Sequence, residues 1–171
     1  DGSVAATVAL PEGMTDEAGL EEELFGILSG TSGLIVFNYY QREMQDVSRF
    51  LAWANKLGRE CVFEPDAAYI IHRFFGIKPN VFVPDSPRYP DDPSQWPDWY
   101  AELRLACRIV ERAQIVGEPS RYMLQNSYRH IMELLDLPAE GGAYLHAEGM
   151  PLDSRDPAYR NMTNIIELAG F

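Results

Sequence analysis

Cysteine is scarce in this chain of 171 residues: only Cys61 and Cys107 occur. Both sit among apolar neighbours, so no disulfide framework holds the fold, and both are expected as reduced core thiols of a cytoplasmic protein. Histidine is nearly as scarce. His72, His130 and His146 are the three present, and no two stand at HxH or HxxxH spacing, so no zinc site is expected in this segment. Positive charge is in short supply too: 14 Lys and Arg face 26 Asp and Glu, a formal net charge of −12. That balance excludes holding nucleic acid by bulk electrostatics and requires a local basic patch for any polyanion. No apolar run approaches the roughly 20 residues of a membrane span, and the opening Asp1-Gly2-Ser3 lacks the basic start and apolar core of a signal peptide. No membrane partner is expected. A start without methionine is what a tag remnant or a domain cut from a longer protein would show.

What is present is globular. Hydrophobic residues make up 46% and charged residues 23%, and the length is that of one ordinary α/β domain spanning residues 1–171. Gly33 to Asn38 (GLIVFN) reads as a buried strand, and Gln41 to Leu57 as a helix, with Met44, Val47, Phe50, Leu51, Ala54 and Leu57 at three- and four-residue steps and Gly58 as the stop. Glu60 to Glu64 is a second strand. Asp66 is expected to cap a short helix carrying Ile70, Ile71 and Phe74 inward, and Asn80 to Val83 is a third strand. Strands without polar alternation, joined through helices, imply a mainly parallel sheet in three layers with Rossmann-like topology and helices on both faces. A proline-rich connection runs from Pro84 to Pro97. Beyond it come a helix capped by Asp98, a strand Arg121 to Gln125, and a helix capped by Ser127 with Ile131, Leu134 and Leu135 buried. A strand Ala143 to Ala147 and a last helix opened by Asp156-Pro157 complete the domain. In front, Thr15-Asp16-Glu17 opens a helix, and Val4 to Leu10 is an expected edge strand.

Catalytic signatures are missing. The turn after the first strand, Asn38-Tyr39-Tyr40-Gln41-Arg42, has no glycine, which disfavours a dinucleotide. It does offer amide, phenol and guanidinium groups at a helix start, where a phosphate can be held or a base stacked; the alternative is a turn whose tyrosines pack on the domain. Neither G-x-S-x-G nor a cysteine with a credible histidine partner is present. His72 and His130 fall on helix faces away from the core stripe and read as solvated or partly packed, whereas His146 lies near the carboxyl end of a strand, where open α/β sheets place their sites. Arg104, Arg108 and Arg112 follow at four-residue steps and are expected on one helix face, either solvated or forming a basic patch.

Two stretches carry a resemblance: GLIVFNYYQREMQDVSRFLAWANKLGRECVFEP, Gly33 to Pro65, and PSRYMLQNSYRHIMELLDL, Pro119 to Leu137, followed by GGAYLHAEGMPL, Gly141 to Leu152. Their order of strand, arginine-bearing turn, long helix, "GR" and strand resembles the β-CASP domain of metallo-β-lactamase-fold nucleases, the RNase J-like group. The likeness runs over residues 31–171. The family's HxHxDH zinc motif is absent, so the resemblance implies a substrate-binding cap module whose catalytic, zinc-holding metallo-β-lactamase-fold domain lies elsewhere in a parent chain. It implies RNA or DNA as substrate, with no catalytic or metal-ligating residue in this segment. Carried over, Asn38, Tyr40 and Arg42 would face the groove, Gln125 and Ser127 would stand at the neighbouring strand end, and His146 and Glu148 would lie near the return to the catalytic domain. The alternative is a self-contained protein-interaction domain. It is favoured by the acidic charge and by the Trp-, Tyr- and Arg-bearing stretch Trp96 to Arg112.

Overall fold

The computed structural model describes residues 5–6, 17–40, 44–147 and 157–171. Six strands, β1 (Ala5–Ala6), β2 (Ile35–Tyr39), β3 (Glu60–Phe63), β4 (Asn80–Val81), β5 (Tyr122–Gln125) and β6 (Ala143–Ala147), form one sheet ordered β1-β6-β2-β5-β3-β4. β6, β2, β5, β3 and β4 run parallel, and the described pair Ala5–Ala6 joins the β6 edge antiparallel. The helices are α1 (Glu17–Gly30), α2 (Met44–Lys56), α3 (Pro65–Phe75), α4 (Asp98–Ala106), α5 (Arg112–Gly117) and α6 (Pro157–Ala169). A 3-10 segment, Tyr128–Asp136, takes the place of the helix expected after Ser127.

Period-two side-chain alternation splits each buried strand between two apolar layers. Ile35, Phe37, Phe63, Met123 and Leu145 pack on one face with Val47 and Phe50 of α2, Ile71 of α3 and Leu103 of α4. Leu34, Val36, Val62, Leu124 and Tyr144 pack on the other with Ile115 of α5, Ile131 and Leu134 of the 3-10 segment, and Met162 and Ile166 of α6. The architecture is therefore the mainly parallel, three-layer α/β fold that the strand composition implies. β5 stands between β2 and β3 and pairs with both, so the β2-α2-β3 crossover skips a position that a later strand fills.

The amino end of the sheet is closed tightly. Gly33 donates its N–H to the Gly141 carbonyl at 2.7 Å. A Cβ on Gly33 would stand 2.3 Å from the Glu140 carbonyl oxygen, so only glycine fits this approach. Arg59 donates from Nη1 to the Gly33 carbonyl at 2.6 Å and from Nη2 to the Thr31 carbonyl, fastening the entrance of β2. Among the described residues, no helix is long and apolar enough to cross a membrane.

Local details differ from the sequence reading. Asp66 is not the cap of α3: Pro65, whose fixed φ suits the first helical position, opens the helix, and Glu64 holds the N-cap position without a side-chain cap bond, its carboxylate being engaged with Ser127. Pro97 precedes α4, with Asp98 as its first residue. Phe74 and Leu135, expected inward, are exposed. Only Ala5 and Ala6 of the expected Val4 to Leu10 strand fall among the described residues, and Asp156 lies outside them.

Candidate nucleic-acid interface

Parallel strands gather their outgoing loops at the carboxyl edge of a sheet. Here Phe37 pairs with Gln125 and Asn38 with His146, so β5, β2 and β6 end at one edge, with Asn38 and His146 side by side on one face of the sheet and Gln125 on the other face beside Phe37. All three side chains are buried. They fix the loops rather than face solvent.

Asn38 Oδ1 accepts from His146 Nδ1 and from the Ala147 N–H, each at 3.0 Å, and its amide nitrogen reaches Met162 Sδ at 3.9 Å. An amide oxygen only accepts, so His146 carries its proton on Nδ1. Its Nε2 is buried and has no hydrogen-bond partner among the described residues. Burial holds the His146 imidazole below its ordinary value, which keeps it neutral at pH 7.

A second network ties β3 to β5. Gln125 Oε1 accepts the Glu64 N–H at 3.0 Å. The Glu64 carboxylate takes the Ser127 N–H at 2.9 Å on Oε1, and on Oε2 it takes the Ser127 hydroxyl at 2.6 Å and His130 Nδ1 at 2.9 Å. His130 is thus buried, neither solvated nor only partly packed, and its backbone leaves helical geometry (φ −115°, ψ 25°) where it turns toward Glu64. The trio of serine, histidine and carboxylate does not make a nucleophile. Ser127 Oγ donates to Glu64 and lies 3.3 Å from the same Nδ1 that Glu64 already occupies, so the imidazole nitrogen beside the hydroxyl cannot take its proton.

Above this buried floor, Tyr40, Tyr128 and Arg129 are exposed. Arg42 and Glu148 lie outside the described residues. Sequence reasoning missed Glu64, His130, Tyr128 and Arg129. The available signal was polar crowding in Asn126-Ser127-Tyr128-Arg129-His130 directly after a buried strand.

The basic patch requires correction. Arg104, Arg108 and Arg112 do not share a helix face, since α4 stops at Ala106 and α5 begins at Arg112. The β-branched residues Ile109 and Val110 favour extended backbone, and this stretch pairs with β4 through Val81. Arg108 is drawn to Glu60 at 2.6 Å. Arg104 lies over the Trp96 ring at 5.1 Å, and Arg112 pairs with Glu133 at 2.5 Å. Arg104 and Arg112 do line one cleft of about 700 Å³ beside the proline-rich connection, together with Asp85, Asp91 and Glu111. Carboxylates outnumber guanidiniums there, so it is no anion site.

No family model matches this sequence, and no curated protein matches it. One solved structure, described as a protein of unknown function from Enterococcus faecalis V583, is similar with a TM-score of 0.56 and 22% sequence identity. The likeness covers 96% of this chain and 36% of that one, so the chain spans about a third of the length of the protein it resembles in fold.

Proposed function

We propose that this chain is the substrate-binding cap module of a metal-dependent metallo-β-lactamase-fold nuclease or phosphodiesterase acting on RNA or DNA, and that it works in the cytoplasm. The observation that carries the proposal is the carboxyl edge. Three adjacent parallel strands end in buried polar anchors, and these support an exposed rim of Tyr40, Tyr128 and Arg129 with, among the described residues, no nucleophile or acid–base pair beneath it. Such an edge can hold and orient a strand without cutting it. The fold's counterpart in Enterococcus faecalis sits within a longer chain, which suits a module. Zinc in a separate catalytic domain would supply the activated water, and this chain's residues would position the phosphodiester.

The test is cleavage of labelled RNA and DNA by the parent chain, with and without a chelator, beside the 171-residue chain alone. Metal-dependent cleavage by the parent and none by the isolated chain is the expected result. Absence of cleavage by the parent, or zinc-dependent cleavage by the isolated chain, overturns it. The second reading, a protein-interaction domain, is favoured by Phe74 and Leu105, which are 77% and 89% exposed on α3 and α4. It takes precedence if the parent neither binds nor cleaves nucleic acid.

A further inference from the structure

Phe82 and Val83 leave β4 at the carboxyl edge of the sheet, and the extended stretch through Ile109 and Val110 runs parallel beside them. Val81 donates its N–H to the Arg108 carbonyl at 2.9 Å and accepts the Val110 N–H at 2.8 Å. The proline-rich connection and the entry to α5 diverge from this point, and the cleft of about 700 Å³ opens between them, where outgoing loops of a parallel sheet leave a crevice. Its walls are preset. Pro84, Pro87 and Pro90 restrict the backbone along one side, Trp96 Nε1 donates to the Pro90 carbonyl at 2.7 Å, and Trp96 packs edge-on against Tyr100 at 5.4 Å. A ligand entering such a cleft orders little of the protein.

The charge of the lining is negative. Asp85, Asp91 and Glu111 face Arg104 and Arg112. Arg112 is engaged by Glu133 at 2.5 Å with Asp136 at 3.6 Å, so with these counted five carboxylates stand against two guanidiniums. Arg88 and Arg108, next in sequence to the lining, are held by Asp66 and Glu60. Among the described residues the Asp85 and Asp91 carboxylates have no ion-pair partner. Tyr89, a lining residue only 4% exposed, has no hydrogen-bond partner for its hydroxyl among the described residues. The aromatic wall also accepts cations: the Arg104 guanidinium lies 5.1 Å from the Trp96 ring centre and 5.9 Å from that of Tyr100.

We propose that this cleft binds a linear polyamine, with its ammonium groups on Asp85 and Asp91 and its methylene chain along the proline and aromatic wall. The carboxylates surround the cleft without converging, since among the described residues no three His, Cys, Asp or Glu side chains are grouped to hold a metal ion. A metal ion concentrates its charge and needs its oxygen ligands at one point, whereas a polyamine spaces its charges along an apolar chain. The site is separate from the Gln125, Asn38 and His146 strand ends and does not depend on the nucleic-acid reading.

Isothermal titration calorimetry of the 171-residue chain with spermidine tests it, in excess magnesium ion to screen the general attraction of an acidic chain for cations, and with succinate as the anionic counterpart. One spermidine per chain is expected, and no succinate. Combined Asp85→Asn and Asp91→Asn should weaken spermidine binding about 2- to 30-fold, with the circular dichroism unchanged because both residues are exposed. Arg104→Met should tighten it about 2- to 5-fold by removing a competing positive charge, the opposite of its effect on an anion. Loss of spermidine binding in excess magnesium, an unchanged affinity in the double Asn variant, an Arg104→Met variant that binds no tighter, or succinate binding in place of spermidine overturns the polyamine site. None of these outcomes touches cleavage by the parent chain, which tests the cap module separately.

Discussion

His130 Nδ1 lies 2.9 Å from Glu64 Oε2, joining residues 66 positions apart where both side chains are nearly withdrawn from solvent. The same carboxylate receives the Ser127 N–H and hydroxyl, so it closes the β3 exit against the β5 exit. It also explains why the rim can be rigid: the turn that carries Tyr128 begins at Ser127.

Glu64→Ala should therefore destabilise the chain by about 2–6 kcal/mol, because it leaves buried donors on Ser127 and His130 without an acceptor, at about 1–3 kcal/mol for each residue. Glu64→Gln keeps one accepting oxygen and should cost less, about 1–3 kcal/mol. Urea unfolding at neutral pH measures both. A loss below about 1 kcal/mol for the alanine variant would show that the turn is held by other contacts.

The sheet and its helices were legible because burial on both faces leaves strands such as Ile35–Tyr39 without polar alternation. The place of β5 between β2 and β3 was not, since strand neighbours are fixed by long-range packing that chain order does not encode. His146 was legible as a strand-end residue. His130 was not, because its role depends on a carboxylate 66 residues away, and Ser127, read as a cap, does hold the N-cap position while its hydroxyl serves Glu64 instead of the segment's N–H groups. Four-residue spacing of Arg104, Arg108 and Arg112 suggested one face, but extended backbone through Ile109 broke the period.

His146 gives a pH dependence with a definite sign. Burial depresses its folded value below the ordinary 6.5, so as pH falls through 6.5 the unfolded chain takes up a proton that the folded chain refuses. Stability contributed by the neutral ring is complete above 6.5 and is lost progressively from there down to the folded value. His146→Gln, which still presents a donor toward Asn38, should remove this share of the slope. Urea midpoints between pH 5 and 7.5 for both proteins provide the comparison, and parallel curves would mean that the ring titrates alike in both states.

Gly33→Ala should be among the most damaging small substitutions in the chain. The added Cβ would meet backbone at Glu140, Gly141 and Gly142 within 2.7 Å, and backbone cannot rotate aside as a side chain can. Separating these segments strains the Gly33 to Gly141 hydrogen bond and the first rung between β2 and β6. A loss of about 3 kcal/mol or more is expected. Gly26→Ala is the control, because nothing lies within 4 Å of a Cβ there and the helix interior favours alanine. If the two variants melt alike, the close approach at Gly33 is not tight in solution.

Arg59 separates stability from binding. Its guanidinium lies at the amino end of the sheet, where Nη1 serves the carbonyls of Gly33 at 2.6 Å and Tyr122 at 3.3 Å while Nη2 serves Thr31. Burial lowers its pKa from the usual arginine value, a cost the surrounding carbonyl oxygens offset. Arg59→Met leaves those carbonyls unpaired and should destabilise by about 2–3 kcal/mol, since hydrogen bonds to charged groups are worth about 1.5–3 kcal/mol. Arg59→Lys should recover part of that loss, because one ammonium cannot reproduce the planar fork that spans the β2 and β5 entrances. Tyr40, Tyr128 and Arg129 leave the opposite end, so single-strand affinity measured well below the melting temperature should be unchanged in both variants. Weakened binding with the fold intact would place the substrate contact, or a coupling to it, at the amino end and would count against the carboxyl-edge site.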